Sequence, residues 1–282
     1  MSEMWNSVAS GWDANAEFVD QQLALATEAM LDAAGVAEGD DVLELGSGPG
    51  GAGLTAAARV GPSGTVLLSD VAAEMIAVAD RRADGYPNVS TAVFDQCEIA
   101  GDAGCFDAVI CRHGLMFAED PVVALREAVR VLRPGGRYAA MTWGARADNP
   151  WLGLTLDAVG EQFGVPFPPP HIRGPFSLED PTLLASALED GGLDDVHVET
   201  IAAPMKVASI EAWWDRIPKL AGPLAIALKG MEPDVRDAIA QRALSAGAKA
   251  ADRDGDEVVF AGSVLIAAGR KRRGSASPRT HD

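Results

Sequence analysis

The sequence is short of the residues that would build a disulfide framework or a zinc site. It has three cysteines in 282 residues, Cys97, Cys105 and Cys111. No two of them form a Cys-x-x-Cys pair, and no histidine lies at the spacing typical of zinc ligands. We therefore expect neither a disulfide scaffold nor a metal centre.

Basic residues are scarce as well. The chain has 23 Lys and Arg against 41 Asp and Glu, a formal net charge of −18. Nucleic acids and anionic membranes bind clustered Lys and Arg, so the composition argues against both as partners. The one basic stretch, residues 269–282, is poor in apolar residues, and we expect it to be a disordered tail. Contact of this tail with nucleic acid or acidic lipid is the alternative.

Long apolar runs are also absent. No stretch approaches membrane-spanning length, and the first ten residues, MSEMWNSVAS, lack the apolar segment of a secretory signal. We therefore expect a cytoplasmic protein. Its length fits one large domain with insertions, and a composition of 48% hydrophobic and 23% charged residues is that of a globular protein. Assembly into a homodimer is an open expectation.

What the chain does contain, between residues 36 and 143, is a regular alternation of short apolar runs and helix-period segments. This alternation is typical of a parallel sheet wrapped by helices. The predicted strands are 41–45, 65–69, 89–94, 106–111 and 136–143, and the predicted helices are 52–60, 72–82 and 121–132. Further strands are predicted at 193–201 and 257–268, and helices at 21–34 and within 209–250.

A glycine-rich turn follows the first predicted strand, with the sequence Glu44-Leu45-Gly46-Ser47-Gly48-Pro49-Gly50-Gly51. Glycine lets the backbone turn sharply and approach a ligand, and the helix that follows directs its first N–H groups at the bound group. The second strand leads to Asp70, an acid suited to a ribose diol. Three of the glycines also fit the dinucleotide pattern GxGxxG, so this turn alone leaves a nicotinamide cofactor open.

Two segments further along the chain indicate which kind of cofactor this turn binds. Phe106–Leu115 has an acid before the fourth strand and a polar turn after it, and Leu125–Gly136 ends a helix and begins the fifth strand. Together with the glycine turn and Asp70, they resemble the class I S-adenosylmethionine-dependent methyltransferases. The closest resemblance is to the type 11, ubiquinone/menaquinone-biosynthesis-like branch, which acts on small molecules. The resemblance covers about residues 36–143.

This resemblance implies an α/β fold with a Rossmann-like sheet, mostly parallel with the last strand antiparallel, and helical lid insertions. The expected organisation is a helical arm at 1–35, a core at 36–144, 193–202 and 253–268, a helical lid or substrate region at 145–192 and 203–252, and the basic tail at 269–282. In this family the arm tends to fold over the cofactor, a role that Trp5, Trp12 and Phe18 fit.

The resemblance also implies the cofactor, S-adenosyl-L-methionine, with S-adenosyl-L-homocysteine as its product. Asp70 would accept hydrogen bonds from both ribose hydroxyls, and Val71 would lie against the adenine. Asp95 and Gln96 would mark the turn at the adenine edge. The full set expected at the cofactor is Glu44, Gly46, Ser47, Gly48, Gly50, Asp70, Val71, Asp95, Gln96 and Arg112.

His113 is the candidate catalytic residue. It follows the fourth strand, at the carboxyl end of a parallel sheet, where open α/β folds bind ligands. An ordinary histidine pKa of about 6.5 suits a general base, although the residue could instead only cap the turn or pack against the cofactor. The residues expected at the substrate pocket are Trp12, Met116, Trp143, His171, Trp213 and Trp214.

The expected function is methyl transfer to oxygen, carbon or nitrogen of a small, largely apolar or aromatic molecule. One alternative binds the same cofactor but catalyses a non-methylating reaction, as a cyclase would. An NAD(P)-dependent oxidoreductase is less expected, because no Tyr-x-x-x-Lys pair is present. A non-catalytic interaction protein would not need the glycine turn. A nucleic-acid acceptor is disfavoured, because the Asn/Asp-Pro-Pro-Tyr/Phe motif does not follow the fourth strand.

Overall fold

The structure is a computed structural model that describes residues 1–273. Its centre is a seven-stranded sheet in the order β3-β2-β1-β4-β5-β10-β6. The strands are β1 (Asp41–Leu45), β2 (Thr65–Asp70), β3 (Val89–Val93), β4 (Phe106–Arg112), β5 (Leu132–Trp143), β6 (Leu193–Ala202) and β10 (Ser263–Lys271). The first five strands pair in parallel, and β10 runs antiparallel to both of its neighbours. The expected Rossmann-like fold is thereby confirmed.

Helices cover both faces of this sheet, which is why its central strands read as nearly continuous apolar runs. One face packs against α3 (Ala24–Ala33) and α4 (Gly51–Val60). The other packs against α6 (Pro121–Val131) and α8 (Pro181–Asp190). The helix α5 (Ala73–Arg82) packs beside β2 and β3. Within β1, consecutive residues alternate between the two apolar layers: Val42 belongs to the first and Leu43 to the second.

The N-terminal arm is helical, as expected, but its elements differ from the prediction. It contains α1 (Ser2–Asn6), α2 (Ala9–Gln22) and α3, with a break at Leu23 inside the predicted helix 21–34. Leu23 ends α2 and begins α3. No helix within residues 1–273 is long and apolar enough to cross a bilayer.

The lid consists of α7 (Pro150–Phe163), α9 (Ile210–Leu220), α10 (Gly222–Lys229) and α11 (Pro233–Ala250) with a small sheet. Its strands are β7 (Met205–Val207), β8 (Asp252–Asp254) and β9 (Glu257–Phe260), and they lie in the order β7-β9-β8. The lid is thus mainly helical, as expected, with a small sheet in addition. The predicted lid segment 145–192 also includes α8, which packs on the main sheet instead.

The predicted strand 257–268 is wrong as a single element. It is divided into β9 of the lid and β10 of the core at Gly262, whose carbonyl accepts a hydrogen bond from the Ala203 N–H at 2.8 Å. A side chain at Gly262 would collide with the Ala203 carbonyl oxygen. This close backbone crossing separates two apolar runs that look continuous in the sequence.

The predicted tail at 269–282 begins too early. Residues 269–271 continue β10, because Arg270 pairs with Arg137 of β5 and Lys271 with Leu193 of β6. Residues 274–282 lie outside the described part of the chain.

Candidate active site

A cavity of about 420 Å³ lies at the carboxyl end of the parallel strands, between the sheet, the arm and the lid. Its sheet side is formed by the carboxyl ends of β1 to β5 and the residues that follow them: 46–49, 70–71, 94–96, 112–114 and Trp143. Its other side comes from the arm, the segment 116–119 and the lid. These lining residues include Trp5, Trp12, Phe18, Val19, Met116, Phe117, Trp151, Leu152, Leu156, Met205, Ile217, Leu220 and Leu224.

The glycine turn after β1 requires glycine for two reasons. Gly46, Gly48 and Gly50 have φ angles of 61°, 52° and 85°, which side chains disfavour. A Cβ on Gly46 would lie 3.2 Å from the Cα of Gly114, so the turn packs tightly against the loop after β4. The turn leads directly into α4, where the Gly53 N–H already donates to the buried Glu44, so the part of the turn that borders the cavity is residues 46–49.

Asp70 is fixed beside this turn by the backbone. Its Oδ2 accepts a hydrogen bond from the Gly48 N–H and its Oδ1 from the Ala72 N–H, each at 2.9 Å. The residue is 8% exposed and lines the cavity. Burial raises the pKa of Asp70, while the N–H donors of Ala72 and Gly48 oppose that shift. A carboxylate has about four acceptor positions, so this side chain can accept further hydrogen bonds from a ligand.

The loop after β3 forms the wall beside Asp70. Asp95 and Gln96 both line the cavity, together with Phe94 and Val71. The Gln96 side-chain N–H donates to the Gly114 carbonyl at 3.2 Å, which ties this loop to the loop after β4.

The side chain of Arg112 extends from the cavity wall to the arm. Its Nη2 donates to Asp20 Oδ1 at 2.9 Å and its Nη1 to Thr27 Oγ1 at 3.3 Å, and the side chain is only 7% exposed. Sequence reasoning missed this pairing, because Asp20 precedes Arg112 by 92 residues. The guanidinium therefore holds the arm rather than standing free in the cavity.

His113 lies on the cavity wall in a strained conformation, with a φ angle of 59°. Its ring stacks on Trp143, with centroids 3.8 Å apart, and Trp143 in turn meets Trp151 edge to face. Both ring nitrogens are buried and have no hydrogen-bond partner within residues 1–273. Burial, and to a smaller degree the charge of Arg112, lowers the pKa of His113 well below its ordinary value. Burial therefore favours the neutral imidazole over the charged form.

The structure brings most, but not all, of the expected cofactor residues to the cavity. Gly46, Ser47, Gly48, Asp70, Val71, Asp95, Gln96 and Arg112 line it, whereas Glu44 and Gly50 do not. Glu44 lies behind the turn, fully buried, and its Oε2 accepts a hydrogen bond from the Gly53 N–H at 2.7 Å. Burial raises its pKa to about 7, and its Oε1 has no partner among the described residues.

The expected substrate pocket needs a larger correction. Trp12, Met116 and Trp143 line the cavity, but His171, Trp213 and Trp214 do not. Trp213 is fully buried in the lid core, where its Nε1 donates to the Trp151 carbonyl at 2.8 Å. Trp214 packs at the margin of that core, and His171 is exposed on the proline-rich loop.

The lining residues that sequence reasoning missed come mainly from the lid, including Trp151, Leu156, Leu220 and Leu224. These residues lie far from the glycine turn in the sequence, so no local sequence pattern connects them with the site. The arm did carry a sequence pattern of this kind. Trp5, Trp12 and Val19 are spaced seven residues apart, which brings them to one side of the arm.

Most charged side chains of the cavity lie on its sheet side. Its lining contains Asp70, Asp95, Arg112 and Glu119, and no charged side chain from the arm or the lid borders it within residues 1–273. No group of three His, Cys, Asp or Glu suited to a metal ion is found in that part of the chain. The cavity thus has a polar floor and a mainly apolar, aromatic roof, to which the segment after β4 adds Glu119 and the arm adds Met1, Ser2 and Gln22.

Comparisons with known proteins agree with this geometry. A family model described as a methyltransferase domain matches residues 42–136. The chain is 30% identical over 218 residues to the ubiquinone/menaquinone biosynthesis C-methyltransferase UbiE of Bordetella parapertussis, an alignment that covers 72% of this chain and 83% of that protein. It is 38% identical over 128 residues to an uncharacterized 37.1 kDa protein in transposon TN4556 of Streptomyces fradiae. That alignment covers 45% of this chain and 35% of the transposon protein.

Among solved structures, the YcgJ protein from Bacillus subtilis has the same fold, with a TM-score of 0.57 at 19% identity. The match covers 90% of this chain and 99% of that chain. The glycine turn, Asp70 at the end of β2 and the methyltransferase relatives together define a class I S-adenosylmethionine-dependent methyltransferase. The chain belongs to the type 11 branch of that family. The predictions of family, enzyme class and cofactor are confirmed.

Proposed function

We propose that this methyltransferase acts on a small, uncharged and largely apolar acceptor bound beneath the arm and the lid. The observation that carries the proposal is the absence of charged arm and lid side chains from the cavity lining within residues 1–273. The guanidinium of Arg112 is engaged by Asp20. A carboxylate or phosphate buried there would lose its hydration without gaining a charged side-chain partner from the arm or the lid, which is unfavourable. The surrounding Trp and Phe rings favour a planar or aromatic acceptor.

We assign the cofactor to the sheet side of the cavity. Asp70 would accept hydrogen bonds from the ribose hydroxyls, and Val71, Asp95 and Gln96 would border the adenine. Gly46, Ser47 and Gly48 would follow the ribose and the methionine part. Glu44 supports this turn from behind: its Oε2 accepts a hydrogen bond from the Gly53 N–H at the start of α4, while its buried Oε1 has no partner among the described residues.

When bound, the cofactor supplies a methyl group that its sulfonium centre already activates. The protein must therefore align the acceptor, exclude water and remove one proton. The arm and lid would exclude water. His113 would accept the proton that leaves the acceptor when its C–H or O–H bond breaks, because its neutral imidazole has a free ring nitrogen.

We propose that the acceptor atom, which attacks the methyl group as the S–CH3 bond breaks, is carbon. The support is the relationship to a C-methyltransferase, whose alignment covers most of both chains. Transfer to oxygen is the second candidate, because the unpartnered ring nitrogens of His113 would suit an acceptor hydroxyl. Product analysis distinguishes a C-bound from an O-bound methyl group.

The test is an acceptor screen with S-adenosylmethionine that carries a trideuteromethyl group. Neutral phenols, quinols and enols are each paired with a phosphorylated or carboxylated counterpart, and products are weighed by mass spectrometry. We expect the label on neutral acceptors and little on their anionic counterparts. Equal or better transfer to the anions would contradict the proposed acceptor class.

Two controls accompany the screen. The Asp70→Ala variant should lose label transfer, which excludes a contaminating methyltransferase. Consumption of the cofactor with products that lack the label would support the non-methylating alternative.

A further inference from the structure

The arm presents polar residues every seven positions to the helix α5. The Asn6 side-chain oxygen accepts a hydrogen bond from the Glu74 N–H at 3.0 Å, and Asp13 pairs with Arg81 at 2.7 Å. One repeat further on, Asp20 pairs with Arg82, also at 2.7 Å. These residues form a row of contacts that we call the arm ladder.

The neighbouring side of the arm closes the cavity. Trp5, Trp12 and Val19 each precede a ladder residue by one position, and all three line the cavity. Trp12 also donates from its Nε1 to the Leu220 carbonyl of the lid at 3.0 Å. The arm therefore spans from α5 to the lid along one side of the cavity.

Asp20 differs from the other ladder residues, because it holds two arginines. Its Oδ2 pairs with Arg82 and its Oδ1 with Arg112, and only Arg112 belongs to the cavity wall. Asp20 is 27% exposed and Arg112 7%, so this pair is better shielded from water than Asp13 and Arg81, at 44% and 59%. Shielded pairs are less screened by salt, and breaking one leaves an uncompensated buried charge.

We propose that the arm is the gate for cofactor exchange and that the Asp20–Arg112 pair holds it closed. Asp20 is thus a positioning residue: it joins the arm to the residue that precedes His113, so arm closure and the geometry of the β4 loop are coupled. The inference concerns the cofactor and does not depend on which acceptor the enzyme uses. It applies equally to S-adenosylmethionine and to S-adenosylhomocysteine, which leaves after each turnover.

The experiment measures the release of S-adenosylhomocysteine from the full chain by stopped-flow displacement, followed by tryptophan fluorescence. Asp20→Asn is compared with Asp13→Asn, the same chemical change on the same side of the arm at a pair that does not reach Arg112. We expect Asp20→Asn to accelerate release at least tenfold. Asp13→Asn should change it by less than threefold, because exposed ion pairs contribute little. Asp20→Glu should restore slow release.

Asp20→Asn should also lower the melting temperature of the apo protein, because it leaves Arg112 buried without its ionic partner, so release is compared at a temperature at which both apo variants are folded. Equal release rates for Asp20→Asn and Asp13→Asn would overturn the proposal. A second measurement on the unaltered protein covers the case in which Asp20→Asn does not fold. Hydrogen exchange of α2 should slow when S-adenosylhomocysteine binds, and unchanged exchange would also overturn the gate.

Failure of the gate and failure of the cofactor assignment are distinguishable. A wild-type protein that does not bind S-adenosylhomocysteine would contradict the cofactor assignment itself. Normal binding with wild-type release from Asp20→Asn would contradict the gate alone.

Discussion

Asp70 offers the sharpest perturbation of the cofactor site. The change Asp70→Asn keeps the size of the side chain and one acceptor oxygen, but it removes the negative charge. In the wild type the two carboxylate oxygens accept from the Gly48 and Ala72 N–H groups and retain positions for two ribose hydroxyls. If the amide NH₂ of asparagine faced one of those N–H groups, the hydrogen bond from that backbone N–H would be lost. If the amide turned the other way, its NH₂ would point toward the ribose, where an acceptor is needed.

The expected magnitude follows from the loss of one charge-assisted hydrogen bond and the weakening of another. Such bonds contribute roughly 1.5–3 kcal/mol each. A loss of about 2–3 kcal/mol corresponds to affinity about 30- to 150-fold weaker, since about 1.4 kcal/mol is a factor of ten.

The assay is calorimetric titration with S-adenosylhomocysteine. Asp194→Asn is the matched control, because Asp194 is an acid at the edge strand β6 that pairs with Arg272, away from the cavity. The control should bind as the wild type does. Wild-type affinity in Asp70→Asn would refute the assignment of this carboxylate to the ribose.

Three further predictions follow from individual contacts. His113→Ala should slow turnover strongly and leave cofactor affinity nearly unchanged. In the wild type the lowered pKa of His113 favours the neutral imidazole, so kcat/KM should stay level as the pH falls from 8 through the ordinary histidine pKa of about 6.5. A fall of kcat/KM near pH 6.5 would contradict the lowered pKa. Gly11→Ala should weaken the docking of the arm, because a Cβ at this position collides with the Lys219 carbonyl of α9. Release of S-adenosylhomocysteine should therefore become faster, although alanine favours an isolated helix by about 1 kcal/mol over glycine. An unchanged release rate would refute the importance of this contact. Trp213→Ala should destabilise the protein by about 3–5 kcal/mol in denaturant unfolding, and Trp214→Ala clearly less; equal effects would contradict their different burial.

The central sheet could be predicted well because both of its faces are buried. Strands such as β1 and β4 are short apolar runs bounded by turn residues, and α6 begins at Pro121 with Asp120 as its cap. Most of these boundaries fall within one residue of the prediction. The exception is β5, which begins at Leu132 rather than at Gly136, because Leu132 already pairs with Phe106 across an irregularity in the sheet.

The lid was harder to predict, because its structure depends on contacts between distant segments. Nothing local distinguishes β9 from β10 except Gly262, whose role becomes visible only beside Ala203. Similarly, Trp213 and Trp214 are adjacent on one helix, and only the packing of α11 and β9 determines which of them is buried.

The residues of the site likewise fall into those that a local motif reveals and those that depend on distant contacts. The glycine turn and Asp70 are local features that the sequence motif reveals, and both border the cavity. The pairing of Arg112 with Asp20 and the stacking of His113 on Trp143 join residues far apart in the chain. The homodimer stays a prediction.

The most direct test of the whole account is a crystal structure of the protein with S-adenosylhomocysteine. We expect the ribose hydroxyls at Asp70, the adenine beside Val71 and Gln96, and the sulfur facing the aromatic space bordered by His113 and Trp143. A ligand bound with its ribose away from Asp70, or with its sulfur closed off from that space, would contradict a single cavity shared by cofactor and apolar acceptor.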